Sequence, residues 1–316
     1  MSVGFAPQHS GQTGFSHLIT IDNPAAVSES NDARGQQICA ELEAGHIVFL
    51  PRSPIVISAD DRELLLGRRQ SSSAYHKNIA YRPLEDRVTG LDASEQGEVP
   101  TLRRILRDYS RQSVEFLSRL LAPYAGKWKL DYASFRPVEE AGRPARLHAR
   151  NDLLHFDSFP TRPTNGARIL RFFTNLNPAQ NRVWITSQTF ESFGPRFASA
   201  TDLLSLLNNP LFRGFRTIAR ALHVPGAGRP LYDELMHRCH NAMKEDSSYQ
   251  EKTPKQRWEF PPNSSWMVFT DCVSHAVLSG QYALEQTFLV PRSALTEPQR
   301  SPLAILEALA GRSLTI

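Results

Sequence analysis

Apolar residues recur at helical spacing over 102–120, where Leu102, Ile105, Leu106, Tyr109, Phe116, Leu117 and Leu120 share one face and Ser113 alone interrupts it. Such a stripe predicts an amphipathic helix lying on a core. Ahead of it, Asp32 stands as N-cap to a short helix over 33–44 that presents Ile38 and Leu42. Gly45 ends that helix, and HIVFLP at 46–51 reads as a buried strand. After residue 126 the period shortens. Segments 127–135, 152–159, 169–176, 183–189, 265–270 and 283–290 are short, rich in aromatic and aliphatic residues, and separated by turn formers, which predicts a β-sandwich or barrel. Residues 200–243 turn helical again, carrying LLSLL, FRGFRTIARAL and LYDELMHRCHNAM, and a charged, Pro-containing loop leads on to 262. The simplest account is a helical insertion of about 195–262 in an all-β core. A last helix over 301–309 starts at Pro302, shows Leu303, Ile305, Leu306 and Leu309 on one face, and stops at Gly311. Residues 1–30 lack periodicity and read as a loose segment, 67–87 as a long polar loop, and 31–316 as one domain.

Composition narrows this picture. The AVILMFWYC set makes up 41% of 316 residues, enough for a sizeable core. No apolar run approaches the roughly 20 residues of a membrane helix. The first thirty residues lack the basic and apolar regions of a secretory leader, so the expected location is the cytoplasm. Cys39, Cys239 and Cys272 are odd in number, far apart and in no CxxC pair, which argues against both a disulfide framework and a thiolate zinc site. The formal charge is only +4, but residues 143–171 hold six arginines against two acids. A wall that basic suits an anionic ligand. Nucleic acid is not an expected partner.

The chain has no GxGxxG, GxxxxGK[ST], GxSxG or HExxH. The His237-Arg238-Cys239-His240 run does not make a metal site, because adjacent helical residues diverge. The informative stretch is NDLLHFDSF at 151–159. In an extended strand His155 and Asp157 point to one face while Leu154 and Phe156 point to the other. Such a corner plus one distant histidine makes the 2-His-1-carboxylate set of iron(II) oxygenases. His275, after an apolar strand and a turn at Thr270-Asp271, fits as the distant histidine, with the insertion accounting for the long gap. His148 competes, but on the same strand as His155 it could not close a triangle; His223 is a further fallback. A keto acid chelating iron needs a cation for its second carboxylate. The position ten residues after His275 is Glu285, so the cation is sought on the strand after HxD, where Arg168 and Arg171, three apart, face opposite ways. Arg162 and Arg182 are the alternatives.

These residues resemble the Kdo hydroxylases, iron(II)/2-oxoglutarate oxygenases of Gram-negative bacteria. The resemblance runs through HKNIAYRPLEDRVTG, DYASFRPVEEAGR, RNDLLHFDSFPTRPTNGARILRFFTNLNP, SHAVLSGQYALEQTF and RSPLAILEALAGRSL. It implies a double-stranded β-helix of jelly-roll or cupin-like type with flanking helices. It implies Fe(II), with 2-oxoglutarate and O2 as cosubstrates, and hydroxylation at carbon 3 of the Kdo sugar of the lipopolysaccharide inner core, giving Ko. Carried over residue by residue, it makes His155, Asp157 and His275 the catalytic metal ligands. The expected partner is a Kdo-bearing lipid A precursor, met at the cytoplasmic face of the inner membrane through peripheral contact. His76, Lys77, Arg82, Arg146, Arg150 and Arg162, with the basic stretch from Arg68, are the expected contacts to that anionic substrate. The rival readings are a 2-oxoglutarate oxygenase acting on another small molecule or a protein, and a metal-free barrel that binds anionic sugars.

Overall fold

A computed structural model describes residues 14–22, 32–68, 78–91, 93–204 and 229–315. In chain order the strands are β1 (Leu18–Thr20), β2 (Ile47–Leu50), β3 (Ile79–Arg82), β4 (Arg87–Thr89), β5 (Lys129–Arg136), β6 (Arg168–Asn175), β7 (Arg182–Thr189), β8 (Gln256–Phe260), β9 (Ser265–Phe269), β10 (Val273–Ser279) and β11 (Ala283–Val290). The helices are α1 (Asp32–Glu43), α2 (Ala59–Leu66), α3 (Val99–Leu120), α4 (Phe190–Ser199), α5 (Leu231–Glu245), α6 (Ser247–Lys252) and α7 (Pro302–Ala310).

An eight-stranded sheet, in the order β1-β2-β9-β6-β11-β5-β3-β4, faces a three-stranded sheet, β10-β7-β8. Side-chain alternation divides each central strand between two cores. On β6, Phe172 points outward, where it meets Phe116 of α3 and its carbonyl accepts a hydrogen bond from the Tyr109 hydroxyl. Phe173, one residue on, points between the sheets and stacks on Trp266 with Trp184 edge-on. The inner core therefore consists largely of aromatic residues from both sheets, including Trp258 and Phe260 of β8. The outer core is the apolar stripe of α3 and its neighbours. Ser113, the one polar residue in that stripe, is buried because its hydroxyl donates to the Tyr109 carbonyl one turn back.

Several elements depart from the sequence expectation. The N-terminal segment is not loose throughout, since β1 pairs in parallel with β2. The polar stretch 67–87 contains β3 and most of the β3–β4 hairpin, with the turn formed by Pro83–Asp86. The helical insertion ends sooner than 262, because 256–260 is β8, a member of the smaller sheet. Segment 152–159, expected as a strand, joins neither sheet: 152–153 form a bend and His155 alone makes an isolated antiparallel bridge to His275. Gly45 and Pro302 fall where expected. Gly45 takes φ +90° after α1, and a Cβ there would lie 2.9 Å from Thr189 Cγ2. Ser301 accepts from the Ala304 N–H at the start of α7, with Pro302 in the first turn.

Candidate metal centre

His155 and Asp157 leave the extended segment on one side, and His275 comes from β10. Backbone pairing aligns the two pieces: His155 N donates to His275 O at 2.9 Å, His275 N to His155 O at 2.8 Å, and Asp157 N to Thr270 O at 2.7 Å. The β10–β7 register shifts between Val273 and His275, an irregularity of the kind that re-aims a side chain. The outcome is a cluster in which the ligand atoms of His155, Asp157 and His275 all lie within 4.8 Å of one another. It is the one group of three possible metal ligands among the described residues.

The ring nitrogens of both histidines are assigned by their partners. His155 Nδ1 is 2.7 Å from Leu153 O, and His275 Nδ1 is 3.0 Å from Val273 O. A carbonyl only accepts, so each Nδ1 carries the proton and each Nε2 presents a lone pair. Burial holds both imidazoles below their ordinary pKa, with the second histidine adding to the effect at His155. Burial works against ionisation of Asp157, yet Arg171 and the two imidazoles hold its carboxyl well below the usual range. Asp157 Oδ2 lies 3.0 Å from Arg171 Nε but accepts no aligned hydrogen bond. Two lone pairs and an unsatisfied carboxylate oxygen converging on one point form a donor set that fits a divalent cation.

Behind this cluster runs a buried charge network. Arg171 bridges Asp157 and Glu285, with its NH1 3.1 Å from Glu285 Oε1. Arg136 of β5 donates to the other oxygen of Glu285, from Nε at 2.8 Å. Burial would raise the Glu285 carboxyl, but Arg136 and Arg171 hold it below its ordinary value. Arg182 of β7 is buried as well. Its NH1 donates to Gly280 O at 2.9 Å, whereas Nε and NH2 make no hydrogen bond among the described residues. Burial, then the neighbouring Arg136, pushes this guanidinium down to about 10.

A model of the family described as 3-deoxy-D-manno-oct-2-ulosonic acid (Kdo) hydroxylase matches residues 26–313. The chain belongs to the Kdo hydroxylase family. It is 32% identical to the solved Kdo hydroxylase KdoO, described as a non-heme Fe(II) α-ketoglutarate-dependent dioxygenase in complex with cobalt(II), with 94% of this chain and 97% of that chain covered at a TM-score of 0.81. The KdoO structure with α-ketoglutarate and Fe(III) is 31% identical over the same shares at a TM-score of 0.80. A third KdoO structure, holding succinate and Fe(III), matches at 31% and 0.81, again with 94% and 97% covered. No curated protein sequence matches the chain. The two-sheet core with flanking helices is the Kdo hydroxylase fold.

The remaining expected site residues fall in different places. Arg168 does not face the metal-ligand cluster: it is fully buried on the opposite side of β6, with its Nε 3.0 Å from Asp271 and its guanidinium 4.2 Å from the Phe269 ring. The three-residue offset has put Arg171 inside and Arg168 outside. Arg162 lies over Tyr132 at 4.0 Å and over Phe159 at 4.2 Å, and pairs with Asp131. Arg82 meets the same Tyr132 ring at 5.1 Å. Arg150 is engaged by Asp152, and Arg146 is exposed. Arg68 is buried against Glu98 rather than open to solvent. His148 is exposed and bonded to Glu245, away from the metal cluster. His76, Lys77 and His223 lie outside the described residues.

Sequence reasoning passed over Arg136 and Glu285 as a pair. In sequence, Tyr132, Ser134 and Arg136 alternate with Ala133 and Phe135, which puts Arg136 on the face opposite the apolar residues; that this face turns inward is set by the pairing of β5 with β11.

Proposed function

We propose that this chain is an Fe(II)- and 2-oxoglutarate-dependent hydroxylase of the Kdo sugar, with His155, Asp157 and His275 as its metal ligands. The observation that carries this reading is the clustering of one ligand atom each from His155, Asp157 and His275 within 4.8 Å of one another. When bound, Fe(II) supplies open coordination positions at which the keto acid and O2 react. The chain's own residues do the rest. The Leu153 and Val273 carbonyls keep both imidazoles in the binding tautomer, and Trp184, stacked on His275 with ring centroids 5.3 Å apart, fixes the ring plane. Arg171 keeps Asp157 ionised and is the inward cation for the distal carboxylate of 2-oxoglutarate, with Arg136 beside it through Glu285. The aromatic floor of Phe173, Trp184 and Trp266 keeps water from the base of the pocket.

The acceptor is a Kdo-bearing lipid A precursor, hydroxylated at carbon 3. Arg162, held flat between two aromatic rings, and Arg82 on the shared Tyr132 ring are the cations for the sugar carboxylate and its phosphorylated lipid. In this reading the lipid-linked substrate is met through peripheral, charge-assisted contact at the cytoplasmic face of the inner membrane, for which the cations Arg82 and Arg162 are the support.

Anaerobic titration with Fe(II) and 2-oxoglutarate tests the centre. The wild type is expected to develop a metal-to-ligand charge-transfer band that His155→Ala, Asp157→Ala and His275→Ala each lose. With O2 and the lipid precursor, succinate and an acceptor carrying one added oxygen should form together. A full band in His275→Ala refutes the ligand set. Succinate without oxygenated acceptor refutes the substrate.

A further inference from the structure

The segment bearing His155 and Asp157 belongs to no sheet and pairs with a strand on one side only, through the isolated bridge to His275. Along that side, His155, Asp157 and Asn151 exchange hydrogen bonds with the β10 region. The intervening residues turn their N–H and C=O groups the other way, where a second strand would ordinarily satisfy them. There the partners are side chains of α5 and α6. Gln250 acts as a peptide would: its Oε1 accepts from Leu154 N at 2.8 Å and its Nε2 donates to Leu154 O at 2.9 Å. Flipping the amide would set donor against donor, so the orientation is determined. His240 Nδ1 donates to Phe156 O at 2.6 Å. Lys244 Nζ reaches the carbonyls of His148 and Arg150 at 2.9 and 2.7 Å. Farther along the chain, past the segment, Asp233 of α5 accepts from Thr164 N at 2.6 Å and from Asn165 N at 3.1 Å.

We infer that α5 and α6 act as a surrogate strand, and that Gln250 is the positioning residue that sets where His155 and Asp157 stand and hence how tightly the centre holds its metal. Leu154 lies next to His155, so freeing its peptide loosens that ligand and the Leu153 carbonyl that fixes its tautomer. The helices that interrupt the β pattern are thereby the scaffold of the centre. Orienting contacts of this kind change metal affinity by roughly 10- to 100-fold when removed.

The inference rests on the proposed ligand set, and one experiment separates the two. Co(II) is titrated into the metal-free protein and followed by its visible d–d absorption, in the wild type, Gln250→Leu, Glu251→Leu and His275→Ala. Glu251, one residue along α6 and exposed, controls for loss of helix stability. Gln250→Leu is expected to bind Co(II) at least about 10-fold more weakly, with faster amide exchange in the peptide containing Leu154, while Glu251→Leu matches the wild type. Should Gln250→Leu fail to fold, Gln250→Glu takes its place: it keeps an acceptor for Leu154 N, loses the donor to Leu154 O, and is expected to bind more weakly than Glu251→Leu. Wild-type affinity in the Gln250 variant, or an equal loss in Glu251→Leu, overturns the surrogate strand alone. Undiminished Co(II) binding by His275→Ala overturns the ligand set and the surrogate strand with it.

Discussion

Arg168 and Arg171 stand three residues apart on β6, and the structure predicts opposite consequences for replacing each with methionine. Arg168→Met leaves Asp271, whose side chain is 1% exposed, without its cation. Burial already raises that carboxyl against the pull of Arg168, so the orphaned acid is destabilising. Removing one partner of a buried pair costs about 3–5 kcal/mol. At roughly 2–4 °C per kcal/mol for a domain of this order, the melting temperature should fall by about 10 °C. The KM for 2-oxoglutarate should stay within about twofold, since the guanidinium faces away from the pocket. Adding Asp271→Leu should recover most of the lost stability, because the pair is then replaced by apolar surface. Arg171→Met removes the inward cation shared by Asp157 and Glu285. Losing a charged partner in a dry site is worth about 2–5 kcal/mol, so the KM for 2-oxoglutarate should rise by roughly 30-fold or more. Succinate release at varied keto acid, with melting curves on the same samples, reads both effects. A larger KM rise in Arg168→Met than in Arg171→Met, at unchanged melting temperature, would refute the assignment of faces. Small and equal KM effects would move the anchor to Arg182, with its unfilled donors.

Two further expectations are open to direct test. Arg162→Ala should raise the KM for the Kdo-bearing acceptor by about 10-fold and flatten its salt dependence, while succinate formed without acceptor persists; an unchanged acceptor KM removes Arg162 from the substrate site. His46 is pushed down to about 4 by burial, then by His17 and Arg300, so it stays neutral in the fold while the unfolded chain protonates near 6.5. Stability from the neutral ring is present above that pH and lost as pH falls towards 4, at up to about 1.4 kcal/mol per pH unit. His46→Asn, which retains an acceptor for the His17 N–H, should flatten that fall in melting curves; an unaltered slope excludes His46 as the cause.

How much of this was legible in the chain follows from how local each signal is. The stripe of α3 was visible because helical periodicity is written in consecutive residues. Strands β6, β7, β9 and β11 were visible for the same reason, each a short run of inward and outward residues between turns. The HxD spacing showed that His155 and Asp157 share a face, the apolar strand and turn ahead of His275 marked it as the distant histidine, and the family motifs agreed. Strand β8 was missed because QRWEF alternates polar and aromatic within a charged stretch, and only its pairing with β7 makes it a strand.

The tertiary structure decided what depends on neighbours remote in sequence. A three-residue offset says that Arg168 and Arg171 diverge, but not which of them faces the cluster of His155, Asp157 and His275. That choice is made by Asp271 drawing Arg168 outward and by Asp157 with Glu285 receiving Arg171 inside. Arg136 and Glu285 join the site because β5 and β11 are adjacent, a pairing that no local pattern encodes. The HxD segment is held by side chains of α5 and α6, nearly a hundred residues later for Gln250 and Leu154. Backbone groups demand partners wherever they are buried, and the fold alone determines who supplies them.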